Sequence, residues 1–179
     1  EFADKKINIL DTPGADDFIG GVISSLRVSD VALMVINVQS GVEVGTEIHQ
    51  RYANQANMPV VYVLNQCDHD KANYEKSLES LKERFGSKIA QIQYPVIAGP
   101  TFDSIIDVLQ MKMYKFPTDG GKPTVSDIPE DQQAQAEEMH GELVEKAAEN
   151  DVSLMELFFE NDSLSEDEMR KGITTGLIE

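Results

Sequence analysis

Apolar positions in the first half of the chain follow two rhythms. Short unbroken runs recur: Ile7, Ile9 and Leu10 inside Phe2–Leu10, then Val31–Val38 (VALMVINV), then Val60–Leu64 behind Pro59. Runs of this length, with little polar alternation, predict strands of a parallel sheet covered on both faces. Between them the apolar residues fall at helical spacing. Phe18, Val22, Ile23 and Leu26 predict a helix through about Val28, with Asp16 or Asp17 capping its start. Ile48 and Tyr52 lie one turn apart in a helix over Gly45–Asn57. Tyr74, Leu78, Leu81 and Phe85 predict a helix over about Lys71–Phe85, and Gly86 stands where a helix C-cap favours glycine. Strand and helix thus alternate three times, the pattern of a doubly wound α/β sheet.

The rhythm then changes. Ile89–Ala98 and Ile105–Phe116 alternate like strands, and Thr118–Pro123 (TDGGKP) reads as a turn. From Pro129, placed at a first helical position, Ala136, Met139, Leu143 and Ala147 form a helical stripe. Asp151 caps the next helix, packed down by Leu154, Met155, Leu157, Phe158 and Phe159, and Ser165 with Glu168 makes a capping box for a last short one. The second half therefore reads as α+β.

Composition changes this picture in one respect. The formal net charge is −17, which argues against holding nucleic acid on a basic face. Fifteen Asp and Glu residues but only Lys146 lie between Asp127 and Glu168. That tract is either a solvated helical surface or a docking face that steers in a basic partner. Cys67 is the single cysteine, so no internal disulfide forms, and no apolar run is long enough to cross a membrane. No signal peptide pattern opens the chain, and a cytoplasmic location is expected. The first residues enter a strand without an initiator Met, so the chain is expected to be a piece of a longer protein.

Two strand ends carry candidate chemistry. The first run ends on Asp11, followed by Thr12, Pro13 and Gly14. An Asp at the carboxyl end of a parallel strand can hold Mg²⁺ through water, and Gly14 lets a backbone N–H approach a phosphate oxygen. On this tetrapeptide alone, an Asp-capped turn with an ordinary Pro-Gly loop is an equal reading. The third run ends on Asn65, Gln66, Cys67 and Asp68. A carboxylate there accepts from the two donors on the guanine edge that adenine lacks, while the Asn amide fixes loop and base. Together the two strand ends point to a guanine-nucleotide site. His49, His69 and His140 are scattered, with no ligand spacing, and receive no metal role.

With these residues in view, the chain resembles the GTP-binding domain of translation elongation factor G and its translational GTPase relatives. The resemblance is carried by INILDTPGADDF (Ile7–Phe18), SLRVSDVALMVINVQSGVE (Ser25–Glu43), the NQCD loop (Asn65–Asp68), FDSIIDVLQMKMYKF (Phe102–Phe116) and ENDVSLMELFFENDSLSEDEMRKGI (Glu149–Ile173). It implies a partial P-loop GTPase-type doubly wound parallel sheet over residues 1–90, followed by an inserted acidic α+β subdomain over residues 91–179. It implies GTP and GDP as ligands with Mg²⁺, and action on the ribosome in translocation or recycling. It places Asp11 near Mg²⁺, Gly14 at the γ-phosphate through its backbone, Thr12 and Pro13 among the nucleotide-binding residues, and Asn65, Gln66 and Asp68 at the guanine. It makes the large-subunit stalk proteins partners of the acidic subdomain.

Two positions depart from the family pattern. The His that follows DTPG and orients the attacking water is Ala15 here, so no catalytic residue is assigned. The Lys after the guanine-loop Asn is Gln66. No GxxxxGK[ST] phosphate loop and no first switch are recognisable, and the family's final guanine-contacting loop is expected beyond Glu179. The isolated piece is accordingly expected to bind GTP poorly. Three readings follow: a segment of an elongation factor G-like GTPase; a ribosome-binding factor that uses GTP as a conformational ligand with little or no hydrolysis; or an acidic interaction module without nucleotide function.

Overall fold

The computed structural model describes residues 4–86 and 89–178. In chain order it holds a 3₁₀ turn at Asp16–Phe18, α1 (Ile19–Leu26), β1 (Ala32–Asn37), α2 (Val44–Gln55), β2 (Val60–Asn65) and α3 (Tyr74–Phe85). There follow β3 (Gln93–Pro95), β4 (Ser104–Asp107), β5 (Lys112–Lys115), β6 (Thr124–Ser126), α4 (Glu130–Glu149), α5 (Val152–Asn161) and α6 (Glu166–Ile178). Packing divides the chain into two compact units. One comprises the chain up to Met34 together with Glu43–Val63; the other comprises Val35–Val42 together with the chain from Leu64.

β1 and β2 pair as a two-stranded sheet. The Ala32 N–H donates to Pro59 O (2.9 Å) and the Val38 N–H donates to Asn65 O (3.0 Å), so the strands advance in step and are parallel. This is the α/β architecture expected of the first half.

In the first unit α2 opens with Thr46 Oγ1 accepting from the Glu43 N–H (3.3 Å). The Tyr62 hydroxyl donates to Gln50 Oε1 (2.6 Å), and burial pushes this phenol up to about 12. Two expectations fail here. The strand over Phe2–Leu10 is absent where it can be described: a bridge touches Lys5, Lys6–Leu10 form no strand, and Ile9 is 84% exposed, while Phe2 lies outside the described residues. Alternating apolar residues make a strand only when a neighbour completes the hydrogen-bond ladder, and no described strand lies beside them. The helix expected to be capped by Asp16 or Asp17 begins one turn later. Its N-cap position is Phe18, without a side-chain cap, and the aspartates fall in the 3₁₀ turn.

In the second unit β3–β6 form an antiparallel meander in that order. Tyr94 pairs with Ile106, Ile105 with Tyr114, and Tyr114 with Val125. The single strand expected over Ile105–Phe116 is instead the hairpin β4–β5. Asp107 makes the turn: its Oδ1 accepts from the N–H groups of Leu109 (3.0 Å) and Gln110 (2.9 Å), and Met111 takes φ +51°. Its other oxygen accepts from Gln93 Nε2 (2.9 Å), so this buried carboxylate is well supplied with donors. Tyr94, Ile106, Val108 and Leu109 share a core with Leu143, Val144 and Ala147 of α4, Leu154 of α5 and Met169 of α6. Pro129 falls at the N-cap, one residue earlier than expected. Asp151 caps α5 and Ser165–Glu168 cap α6, as the sequence indicates.

α4 and α6 approach backbone to backbone. A Cβ at Gly172 would lie 2.2 Å from the Ala147 carbonyl oxygen, and one at Gly176 would lie 2.3 Å from Asn150 Nδ2. Lys171 Nζ meets Asp151 Oδ2 at 2.6 Å, tying α6 to the start of α5. The Lys171 ammonium and the Ser153 donors hold the Asp151 carboxyl well below the usual carboxylate range.

Gly172→Ala should destabilise the second unit by about 1–3 kcal/mol, the usual cost of overpacking, because the contact is with backbone. Gly141→Ala, also within a helix but facing open space, should stabilise by about 0.5–1 kcal/mol. Chemical denaturation of both variants reads the opposite signs. Asp151→Asn should lower the thermal midpoint at neutral pH. A depressed folded-state pKa adds stability above the unfolded value of about 3.9 and loses it as pH falls toward the folded one. The midpoint difference from wild type should therefore shrink below about pH 4 in a pH series.

Candidate guanine-nucleotide site

The carboxyl end of β2 delivers the Asn65–Asp68 loop. Asn65 is its last residue, and the Asn65 carbonyl accepts from the Val38 N–H just beyond the end of β1. Gln66 then takes φ +64°, left-handed backbone that is costly for a non-glycine residue. Several bonds hold the loop in this form. The His69 N–H donates to Gln66 O (3.2 Å), the Gly99 N–H to Cys67 O (2.7 Å), and the Cys67 thiol to Leu64 O (3.5 Å). Burial and the Asp68 carboxylate push the Cys67 thiol up, which keeps it protonated near neutrality. Cys67 therefore props the loop from inside. Asn65, Gln66 and Asp68 are exposed, so the amide and the carboxylate expected to read guanine face solvent.

The segment after β1 stands beside this loop. The Val38 carbonyl accepts from Ser77 Oγ (2.7 Å) and from the Asn73 N–H (3.4 Å), which seats the start of α3. The Gln39 N–H donates to Asn37 Oδ1 (2.9 Å), and the Val42 N–H to Ser80 Oγ (3.3 Å). Gln39 Nε2 donates to Gln66 Oε1 at 3.0 Å. Sequence reasoning did not find Gln39. Its partner lies 27 residues away, and nothing local marks it.

The other candidate residues lie in the first unit. Asp11, Pro13, Gly14 and Ala15 are exposed and Thr12 is half-buried, all on irregular backbone. Asp11 does not end a strand, so the sheet rim expected to present it is not formed by Lys6–Leu10. Gly14 is not left-handed and a Cβ there would meet nothing within 4 Å, so packing does not demand a glycine. The Ala15 carbonyl accepts from the Phe18 N–H (2.9 Å), and its methyl group offers no hydrogen bond. Among the described residues no group of three or more His, Cys, Asp or Glu could hold a metal ion. A lone exposed carboxylate such as Asp11 fits Mg²⁺, which keeps most of its water and takes further ligands from phosphates.

A model of the elongation factor Tu GTP-binding domain matches residues 1–159. Over 176 residues the chain is 34% identical to an elongation factor G-like protein of Thermotoga maritima, covering 98% of this chain and 25% of that one. Its fold is similar to a crystal structure of a Thermus thermophilus protein, with a TM-score of 0.80 and 26% identity, covering 94% of this chain and 25% of the other. The chain spans about a quarter of the length of these two relatives. With a family match over most of its length, the chain belongs to the elongation factor Tu GTP-binding domain family, among the translational GTPases.

Proposed function

We propose that the chain is a working segment of an elongation factor G-like translational GTPase that binds GTP and GDP and acts on the ribosome in translocation or recycling. The observation that carries this reading is the Asn65–Asp68 loop, propped at the end of a parallel strand with its amide and carboxylate exposed. Asn65 orients the loop and base, Asp68 accepts from the guanine donors, and the stem of Gln66 covers the ring. Thr12, Pro13 and Gly14 border the γ-phosphate, where the Gly14 N–H donates to oxygen. Asp11 would hold Mg²⁺ through water, and the ion would supply neutralisation of phosphate charge. Residues 1–90 form the nucleotide-binding portion and residues 91–179 an inserted subdomain. The acidic helices of that subdomain meet basic stalk proteins of the large ribosomal subunit, and the protein works in the cytoplasm.

Ala15 favours a second reading. A methyl group neither orients water nor stabilises developing charge, so GTP serves as a conformational ligand that is hydrolysed slowly or not at all.

Phosphate release from GTP by the full-length protein, with and without ribosomes, separates the two. Little release by the wild type, with GTP bound, and at least a tenfold gain in Ala15→His would establish the conformational-ligand reading. Strong ribosome-stimulated release by the wild type would establish the enzyme and show that another group orients the water. Binding to stalk protein should weaken as salt is raised from 50 to about 500 mM, since screening shortens the reach of the acidic helices; salt-independent binding would contradict an electrostatic dock.

A further inference from the structure

We propose that Gln39 is a positioning residue of the guanine site: its carboxamide clasps that of Gln66 and holds the recognition loop in its binding form. This rests on the reading of Asn65–Asp68 as the guanine loop. The two partners differ in how firmly they are held. Gln39 stands on a fixed platform. Its own N–H is bound to Asn37 Oδ1, the residue before it is hydrogen-bonded through both N–H and C=O, and Gly41 and Val42 are seated against α3 at Ser80. Val38 is fully buried. Gln66, by contrast, is exposed and takes a left-handed backbone that no glycine relieves.

Between Asn65 and Asp68, residue 66 sets the direction in which the chain leaves the strand, and so the spacing of the two side chains that read the base. A strained conformation persists only where its surroundings over-determine it. Backbone bonds from His69 and Gly99 fix the carbonyls of Gln66 and Cys67. The bond from Gln39 Nε2 to Gln66 Oε1 fixes the side chain. A tethered carboxamide lies ready over the base instead of sampling many rotamers in solvent, which is preorganisation of the loop before nucleotide arrives. The bond survives a flip only when both amides turn together, because the NH2 of one must face the oxygen of the other.

A double-mutant cycle on the full-length protein tests this through the rate of GDP release, read with a fluorescent GDP analogue. Gln39→Ala and Gln66→Ala should each speed release by about three- to tenfold, the range expected for one net hydrogen bond. The double variant should release no faster than the quicker single variant, because both changes break one interaction. Gln39→Glu combined with Gln66→Lys, which replaces the clasp by an ion pair of similar reach, should restore slow release. Thermal midpoints should stay within about 2 °C of wild type, since Gln66 is exposed and Gln39 is only half-buried. An unchanged release rate in Gln39→Ala, or single effects that multiply in the double variant, would overturn the proposal while leaving the guanine reading intact. Failure of the wild type to bind any guanine nucleotide would overturn the guanine reading itself, and the clasp with it.

Discussion

The buried carbonyl of Val38 is the constraint on which the recognition end of the molecule depends. Val38 lies just past β1, where its N–H still bonds β2 but its carbonyl turns to α3, and its side chain is fully buried. A carbonyl at such a position needs donors or it destabilises the fold. Ser77 Oγ and the Asn73 N–H supply them, and so fix where α3 begins. The Val38 N–H meanwhile binds the Asn65 carbonyl, so one residue fastens the ends of both parallel strands and the first turn of the following helix. The loops that leave these two strand ends carry Gln39 and Asn65–Asp68. Their placement is thus set by main-chain bonds, and side-chain chemistry acts on a frame already built.

Elements whose signals are local were legible in the sequence. Caps at Asp151 and Ser165–Glu168 mark two helix starts because each side chain reaches only two or three residues along. Elements that depend on distant partners were not. Ile7, Ile9 and Leu10 look like a strand, but pairing is a property of two segments and the pattern reports only one. The β4–β5 hairpin was hidden because Val108, Leu109 and Met111 continue the apolar run through the turn. Asp107, which binds the next two free N–H groups, was the available signal. The same division runs through the candidate site. Asn65 and Asp68 are three apart on one loop, so the sequence could single them out as candidates, while the Gln39–Gln66 contact closes over 27 residues and was invisible.

In the proposed reading, recognition and hydrolysis come apart. The loop at the end of β2 keeps the amide and carboxylate suited to guanine, in a form braced by Cys67 and Gly99. At Ala15 the side chain that would act on water is a methyl group. Gln66 retains a planar, polar head on a two-carbon stem in place of a charged amine, and it gains a neutral partner in Gln39 that an ammonium would engage differently. In that reading the departures touch the chemical step and the tuning of affinity. In the proposed reading the choice of base rests on Asp68, which neither departure alters.

Base preference after a single change at Asp68 tests that claim most directly. A carboxylate accepts from the N1–H and 2-amino groups of guanine, whereas a carboxamide can donate to the 2-oxo group of xanthine. Affinities of the full-length protein and of Asp68→Asn for GDP and xanthosine diphosphate, measured by calorimetry, should show an exchange: at least tenfold weaker GDP binding and a gain for the xanthine nucleotide. Unchanged GDP binding by Asp68→Asn, with no gain for xanthosine diphosphate, would contradict guanine recognition by the Asn65–Asp68 loop.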